Sequence, residues 1–274
     1  MDQDRSGSDR AGQDRAGQER RALRRERLLA TATDLFTTRG YPATSIERIC
    51  ATAHVSIRAF YEEFEGREAL LIALHNDVAR AGMEAALTVL SDPGMESAGA
   101  RSRITALTRS YLDAVTAEPA ATRIAFVEVI GAGRAVEEHR LLWRSLWSDF
   151  LSGEAERAVE RGESAPRDYS LAIVALIGAI NELVAHWARD ATAFSRELLA
   201  DELVHHALAT LGIPTEDVPV TDVPVTDRPV TDRPADGTPA DGTPADSASA
   251  DGVPADGTPP DATPTDATLT DEGK

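Results

Sequence analysis

The segment AHVSIRAFYEEF, residues 53–64, carries side chains that suit contact with a phosphate or another anion. Arg58 can donate two parallel hydrogen bonds, and the hydroxyl of Tyr61 can donate one. Ile57 offers an apolar surface beside them. These side chains can act together only if one rigid element presents them on the same side, so the neighbouring sequence must build that element.

The neighbouring sequence predicts two short helices joined by a tight turn. Thr44 or Ser45 can cap a helix that runs to Ala53, and Ser56 can cap the next helix after a three-residue link. Two helices with so short a link form a helix-turn-helix, whose second helix fits the DNA major groove, which is about 12 Å wide. Phe60 and Phe64 are four residues apart and are expected to face the core. Ile57, Arg58 and part of Tyr61 then lie outside.

Charge is distributed unevenly along the chain. The formal net charge is −18, but residues 20–61 contain 8 basic and 3 acidic residues, whereas residues 215–274 contain 3 basic and 14 acidic residues. Because fields are screened beyond about 8 Å at physiological salt, a locally basic surface can still attract phosphates. Five arginines before the first helix suit either phosphate and minor-groove contacts or a plain solvated face: Arg20, Arg21, Arg24, Arg25 and Arg27.

The pattern of apolar residues predicts an all-α fold of about nine helices. Apolar side chains recur at spacings of three and four, without strand-like alternation. Residues 1–19 are a polar arm, and residues 215–274 are an acidic repeat of Pro, Asp, Thr, Ala and Gly, so both ends are expected to be disordered. The acidic tail is interpreted as a solvated spacer or, alternatively, as a competitor with DNA for the arginine-rich surface.

We expect a cytoplasmic protein without a membrane segment. The opening residues lack the apolar run of a signal peptide, and the most apolar stretch, residues 171–185, contains Asn181 and Glu182 and is shorter than a bilayer span. Cys50 is the single cysteine, which excludes an internal disulfide. We expect it to fill core space rather than to sense redox state.

Residues 27–74, RLLATATDLFTTRGYPATSIERICATAHVSIRAFYEEFEGREALLIAL, resemble the DNA-binding domain of TetR-type transcriptional regulators. The shared features are a Leu-Phe pair, a Gly-Tyr turn, Thr-Ser-Ile, Val-Ser, and a basic residue before Glu-Ala-Leu-Leu, all in register. The resemblance extends over about residues 22–82. It implies a three-helix helix-turn-helix domain over residues 20–82, followed by a larger helical effector-binding and dimerisation domain over residues 83–214.

The resemblance also implies roles for particular residues. Thr44 and Ser45 stand where the family contacts phosphates at a helix N-terminus, and Tyr61 stands at a phosphate-contacting tyrosine. Arg67 replaces a lysine that grips the DNA backbone. On the second helix, two side chains would face base edges, one packing on a thymine methyl and one forking to guanine. With the capping serine, the implied DNA-binding set is Thr44, Ser45, Ser56, Ile57, Arg58, Tyr61 and Arg67.

Three positions depart from the family pattern. His54 occupies the turn position usually held by glycine, which histidine tolerates because it visits positive φ more often than most residues. Arg58 stands where a small residue is common. Glu63 stands where a hydrogen-bond donor is common, and an acid there is expected to repel phosphate.

For the second domain, the resemblance implies a homodimer that binds double-stranded DNA at a palindromic operator. The helices over residues 169–190 and 195–211 would form the dimer interface. Residues 101–161 would enclose a pocket for a small-molecule effector of unknown identity. Five aromatic residues either line that pocket or form plain core: Tyr111, Phe126, Trp143, Trp147 and Phe150. Four further residues are candidate polar anchors or surface groups: Glu128, His139, Asn181 and His186.

The implied function is a ligand-responsive regulator, most simply a repressor, that is not an enzyme and needs no cofactor. One alternative is an interaction protein whose helix-turn-helix has lost DNA binding, which the acidic residues Glu62, Glu63 and Glu65 would favour. A small helical enzyme is a second alternative, although the sequence lacks a phosphate-binding loop and a nucleophile motif. Glu182 and His186 lie one helical turn apart and suit either a metal or, more simply, a hydrogen-bonded pair or dimer contact.

Overall fold

The computed structural model describes the backbone of residues 3–215 and the side chains of residues 15–215. This part of the chain contains ten α-helices, one π-helical turn and no β-strand, which confirms the all-α prediction. The acidic tail lies, except for Thr215, outside the described residues. The elements are α1 (Gln3–Arg39), α2 (Ile46–Ala53), α3 (Ile57–Tyr61), α4 (Arg67–Leu90), α5 (Pro93–Ser97), α6 (Ala100–Val115), α7 (Pro119–Arg123), the π-helical turn (Ile124–Glu128), α8 (Arg134–Glu160), α9 (Ser170–Arg189) and α10 (Arg196–Thr210).

Helices α1 to α3 and the first turns of α4 enclose one hydrophobic core. The two short helices are capped as predicted: the Ser45 hydroxyl accepts from the Arg48 N–H at 3.3 Å, and the Ser56 hydroxyl accepts from the Ala59 N–H at 3.2 Å. These caps fix where α2 and α3 begin. The large apolar side chains that fill the core are Leu28, Phe36, Tyr41, Ile49, Phe60, Phe64, Leu70 and Leu71.

The turn between α2 and α3 has a left-handed residue at His54, with φ 54° and ψ 45°. His54 is the one non-glycine residue with positive φ among those described, so histidine takes the expected role of glycine there. Cys50 packs nearby with 3% of its surface exposed. Burial, assisted by the charge of Glu47, raises the pKa of the Cys50 thiol. The prediction of a core-filling cysteine is confirmed.

Helix α1 begins at Gln3 and therefore includes most of the segment for which the sequence predicts a polar arm. Among the side chains described, the first buried one is Leu28, and Leu23 is 60% exposed. The part of α1 from Arg15 to Arg27 thus adds no buried side chain to the core, as its composition predicts.

Helix α4 connects the helix-turn-helix with the rest of the bundle. Leu71 lies in the first core, whereas Ala86 lies in a core that α4 shares with later helices. At Gly82 the backbone of α4 approaches α6 so closely that an added Cβ would lie 2.8 Å from Val115 and 2.9 Å from the ring of Tyr111. The domain boundary expected near residue 82 therefore falls inside one continuous helix.

Helix α9 packs in the second part of the bundle against α7, α8, α10 and the π-helical turn. It is the one helix in the described part of the chain that is long and apolar enough, by length and composition alone, to cross a membrane. The expectation that this stretch is too short is wrong, because the helix has 20 residues. Ile173, Ile177 and Val184 are buried in the bundle, as in a core helix. The opposite face exposes Leu171 and Val174.

Candidate DNA interface and ligand cavity

Helix α3 presents the expected side chains to solvent. Phe60 is fully buried, which fixes the rotation of this short helix about its axis. Ile57 and Tyr61 are 47% and 55% exposed, and the side chain of Arg58 is 91% exposed. Within the described residues Arg58 pairs only with Glu62, at 3.6 Å between Nε and a carboxylate oxygen, so it can turn toward another partner. The three groups therefore form one accessible, mixed apolar and polar surface.

The structure corrects the role expected of Thr44. Its side chain has no exposed surface, and its hydroxyl donates to the Gly40 carbonyl at 3.0 Å. A phosphate outside the protein cannot reach that hydroxyl, so Thr44 shapes the connection between α1 and α2 instead. Ser45 and Ser56 are exposed at the N-termini of their helices. Both stay candidate phosphate contacts.

Arg67, at the start of α4, binds the connection between α1 and α2. Its Nη1 donates to the carbonyl of Thr44 at 2.6 Å and to that of Tyr41 at 3.1 Å. The guanidinium also lies over the Tyr41 ring, 4.2 Å from its centroid. Arg67 is thus a positioning residue for the entry to α2. A phosphate contact would have to use its other nitrogen atoms.

Glu63 does not present the free acid that the sequence predicts. Its side chain is 2% exposed and accepts hydrogen bonds from Arg24 at 2.6 Å and from Arg21 at 3.0 Å. Burial alone would raise the pKa of Glu63, but the hydrogen bonds and charges of the two arginines outweigh burial and lower it. The negative charge of the carboxylate is therefore compensated by two arginines within the protein. The prediction that Glu63 repels phosphate is wrong.

Arg20, Arg21, Arg24, Arg25 and Arg27 divide into two groups. Arg21 and Arg24 bind Glu63, and the guanidinium of Arg25 lies over the Phe64 ring, 4.4 Å from its centroid. These three tie α1 to the end of α3, a role that the sequence pattern did not indicate. The two others are exposed and form no ion pair within the described part of the chain: Arg20 and Arg27.

A cavity of about 90 Å³ lies between α4, α6, α8, α9 and α10. Of the five aromatic residues proposed as a ligand wall, four line it: Tyr111, Phe126, Trp143 and Trp147. Phe150 is not part of the lining, and its ring packs edge to face on Trp147, at 5.6 Å between centroids. The aromatic stripe is thus partly cavity wall and partly plain core.

Sequence reasoning missed most of the polar groups of the cavity. His75 and Thr108 line it from α4 and α6, and Arg140 and Arg144 line it from α8. The two arginines are four residues apart, as are Trp143 and Trp147. The helical spacing that placed the tryptophans on one face could therefore also have identified the arginines. Of the residues proposed as polar anchors, Asn181 lines the cavity, where its amide donates to the Ile177 carbonyl at 2.8 Å.

His75 is 9% exposed, and its Nδ1 has no hydrogen-bond partner within the described part of the chain. Its ring meets that of His139 edge to face, at 5.2 Å between centroids. Burial, with smaller contributions from His139 and Arg140, lowers the pKa of His75 to about 4. At neutral pH this ring is therefore uncharged, and its Nδ1 is a buried atom without a partner among the described residues.

Glu128 links the π-helical turn to the helix-turn-helix. One carboxylate oxygen accepts from the Tyr41 N–H at 2.8 Å, and the other lies 3.3 Å from Nε of Arg123. Phe126, two residues earlier in the same turn, lines the cavity. One short element therefore contacts both the cavity and the connection that leads into α2.

Glu182 and His186 each have another partner in the structure. Glu182 binds Arg189 at 3.2 Å, and the His186 ring stacks on Phe194 at 5.8 Å between centroids. No group of three or more metal-ligating side chains lies together among the residues that the structure describes.

The family model for bacterial regulatory proteins of the tetR family matches residues 28–74, which cover α2, α3 and parts of α1 and α4. Among proteins of curated function, none matches the chain in sequence. The fold is similar to that of a tetR-family regulatory protein from Rhodococcus RHA1, with a TM-score of 0.55 at 20% identity over 70% of this chain and 98% of that one.

Two similar structures contain ligands. The regulator FadR from Bacillus subtilis, in complex with stearoyl-CoA, gives a TM-score of 0.58 at 16% identity, covering 69% of this chain and 99% of that one. AibR, in complex with isovaleryl coenzyme A and operator DNA, gives 0.53 at 23% identity, covering 66% and 96%. Residues 28–74 thus match the TetR-family DNA-binding domain, and the described part of the chain has the fold of TetR-family regulators.

Proposed function

We propose that the protein is a ligand-responsive repressor that binds an inverted-repeat operator as a homodimer in the cytoplasm. The observation that carries this proposal is the surface of α3, where Ile57, Arg58 and Tyr61 are exposed together on a helix that Phe60 anchors in the core. A helix of this kind can enter the major groove, with Arg58 donating to guanine and Ile57 packing on a thymine methyl. Tyr61, Ser45 and Ser56 would contact phosphates.

The homodimer would form through α9 and α10. The exposed face of α9 carries apolar and small residues one turn apart, which suits close packing against the same helix of a second copy. A two-fold dimer would place the two α3 helices about 34–36 Å apart, one turn of DNA. The residues of this face are Leu171, Val174, Ala175, Gly178 and Glu182.

The effector would bind in the cavity and act through α4 and the π-helical turn. FadR and AibR were each solved with an acyl-CoA, which supports a ligand with an apolar part here as well. Because Glu128 joins the π-helical turn to the connection before α2, a ligand that moves this turn would also move the helix-turn-helix. The ligand can shift the helix-turn-helix between two positions only by as much as its binding free energy differs between them.

The test is to select genomic DNA fragments with the purified full chain and to compare Arg58→Ala with Arg134→Ala. Both arginines are more than nine-tenths exposed and bind a glutamate four residues later, but Arg134 lies on α8. We expect Arg58→Ala to lose about 5- to 150-fold of the preference for the selected site over unrelated DNA, because a forked guanine contact contributes about 1–3 kcal/mol.

Arg134→Ala should keep that preference. Equal weakening of Arg58→Ala on all sequences would make Arg58 a phosphate contact. If the wild-type chain shows no salt-dependent binding to any duplex, the regulator function is wrong, and the alternative of a helix-turn-helix that has lost DNA binding replaces it. The burial of Glu63 removes part of the argument for that alternative, since it leaves only Glu62 and Glu65 as accessible acids.

A further inference from the structure

The walls of the cavity are chemically different at its two ends. Helix α8 contributes Arg140 and Arg144 from its first half and Leu151 from its second half. Helix α9 runs the other way and contributes Asn181 near its end and Ile173 near its start, with Ile173 in the same apolar cluster as Leu151. One end of the cavity is therefore basic and polar, and the other is apolar.

The basic end contains a cation without a counterion. Arg140 is bound by Glu137 at 2.6 Å, whereas half-buried Arg144 has no ion pair or hydrogen bond within the part of the chain that the structure describes. No aspartate or glutamate lines the cavity. A half-buried cation is favourable only when an anion or water compensates it. His75 also lines the cavity, but its unpartnered Nδ1 is buried.

We propose that the cavity binds an organic carboxylate with a short apolar body, whose carboxylate lies at Arg144 and whose apolar part extends toward Leu151 and Ile173. This inference rests on the proposed function, because it assigns the chemical class of the effector. At 1.5 Å per helical residue, roughly 10 Å of wall separates Arg144 from Leu151. The volume of about 90 Å³ favours short and medium chains.

Isovaleryl and stearoyl groups in the two ligand-bound neighbours are apolar acyl chains carried on coenzyme A, as thioesters rather than free acids. A free acid and a coenzyme A thioester differ in the charge that they would place in this cavity. A free acid presents its negative charge directly beside the chain, where Arg144 lies, whereas a thioester is neutral at that position.

The experiment titrates the full chain with butanoate, octanoate, dodecanoate, 1-octanol and octanoyl-CoA, all below micelle-forming concentrations. Tryptophan fluorescence follows binding, since Trp143 and Trp147 line the cavity, and calorimetry confirms the affinity. We expect octanoate to bind at least tenfold more tightly than 1-octanol and more tightly than octanoyl-CoA. Preferential binding of octanoyl-CoA or equal binding of 1-octanol would overturn the carboxylate assignment.

The matched variants are Arg144→Met, Arg144→Lys and Arg134→Met. Arg144→Met should weaken octanoate at least tenfold and leave 1-octanol unchanged, because only the charged contact is lost. Arg144→Lys should recover part of the affinity, and Arg134→Met should bind as wild type. Equal losses in Arg144→Met and Arg134→Met would overturn the proposal, and thermal melting shows that each variant is folded.

Carboxylate binding and DNA binding are tested by separate measurements. DNA binding is measured on the wild-type chain without ligand. A chain that binds octanoate but no DNA keeps the carboxylate site and loses the regulator function. A chain that binds a selected DNA site but none of the carboxylates keeps the regulator function and loses the carboxylate site.

Discussion

At the scale of single residues, Glu63 illustrates how an acidic side chain can orient a helix that is proposed to face DNA. Its carboxylate is buried between Arg21 and Arg24 rather than exposed beside a phosphate. Two charge-assisted hydrogen bonds compensate the burial and join α1 to the end of α3. In the sequence Glu63 looks unfavourable for DNA binding, and in the structure it orients α3 against α1.

Glu63→Gln should lower the free energy of unfolding by about 1–3 kcal/mol at pH 7, because charge-assisted hydrogen bonds are replaced by weaker ones and two arginines lose their counterion. Urea denaturation measures the loss, with exposed Glu65→Gln as the control. The lowered pKa of Glu63 means that its stabilisation is present at neutral pH and lost as the pH falls below the usual carboxyl range. The two proteins should therefore converge in acid; a constant difference would contradict this account.

His75 should make the protein sensitive to mild acid. Its pKa is about 4 in the folded state against 6.5 for an ordinary histidine, so the unfolded state binds more protons between these values. Stability is then retained above pH 6.5 and lost as the pH falls toward 4. The wild type should lose about 2 kcal/mol more between pH 7 and pH 5 than His75→Gln.

Urea denaturation at the two pH values measures this difference, and His206→Gln, a histidine outside the cavity lining, is the control. His139 and Arg140 also lower the pKa of His75, and burial lowers the pKa of His139 itself. Both residues are present in the wild type and in His75→Gln, so the comparison isolates the His75 ring. Parallel pH profiles for the wild type and His75→Gln would show that the ring is hydrated rather than desolvated.

At the scale of elements, the π-helical turn connects the cavity with the segment that leads into α2, since it contains both Phe126 and Glu128. Glu128→Ala removes the acceptor of the Tyr41 N–H. We expect the backbone around residues 40–45 to exchange its amide hydrogens several-fold faster, because the connection loses a hydrogen bond from outside the helix-turn-helix. Mass spectrometry of exchanged peptides measures this, with Glu118→Ala, an exposed acid before α7, as the control. Unchanged exchange would remove Glu128 from the coupling route.

The local elements could be predicted from the sequence because short-range chemistry sets them. Ser45, Ser56 and His54 fix the ends of α2 and α3, and each role is visible in a few neighbouring residues. The partners of Glu63 and Arg67 could not be predicted, since they lie 39–42 and 23–26 residues away and depend on how the helices cross. For the same reason, helical spacing identified Trp143 and Trp147 but not the opposing His75.

At the scale of the whole molecule, an apolar surface is left on α9 after the chain has folded. Leu171 is 82% exposed and Val174 is 59% exposed, although the other face of the same helix is buried. Helix α10 exposes little apolar area, so the expected pairing through both last helices would depend mainly on α9. Leu142 and Leu146 on α8 are also exposed and are the competing surface.

Gly178 lies at the centre of the α9 surface and tests it directly. An added Cβ at Gly178 would meet no atom within 4 Å in one chain, and the same holds for Gly153 on α8, so both positions have open space beside the α-carbon. Gly178→Trp should prevent close approach of two α9 helices and give monomers at micromolar concentration by light scattering, whereas Gly153→Trp should stay dimeric. The monomer should also lose preference for a palindromic site over its half-site, because only the dimer reads both halves. A Gly178→Trp dimer would move the interface to another surface, with the α8 leucines as the next candidates.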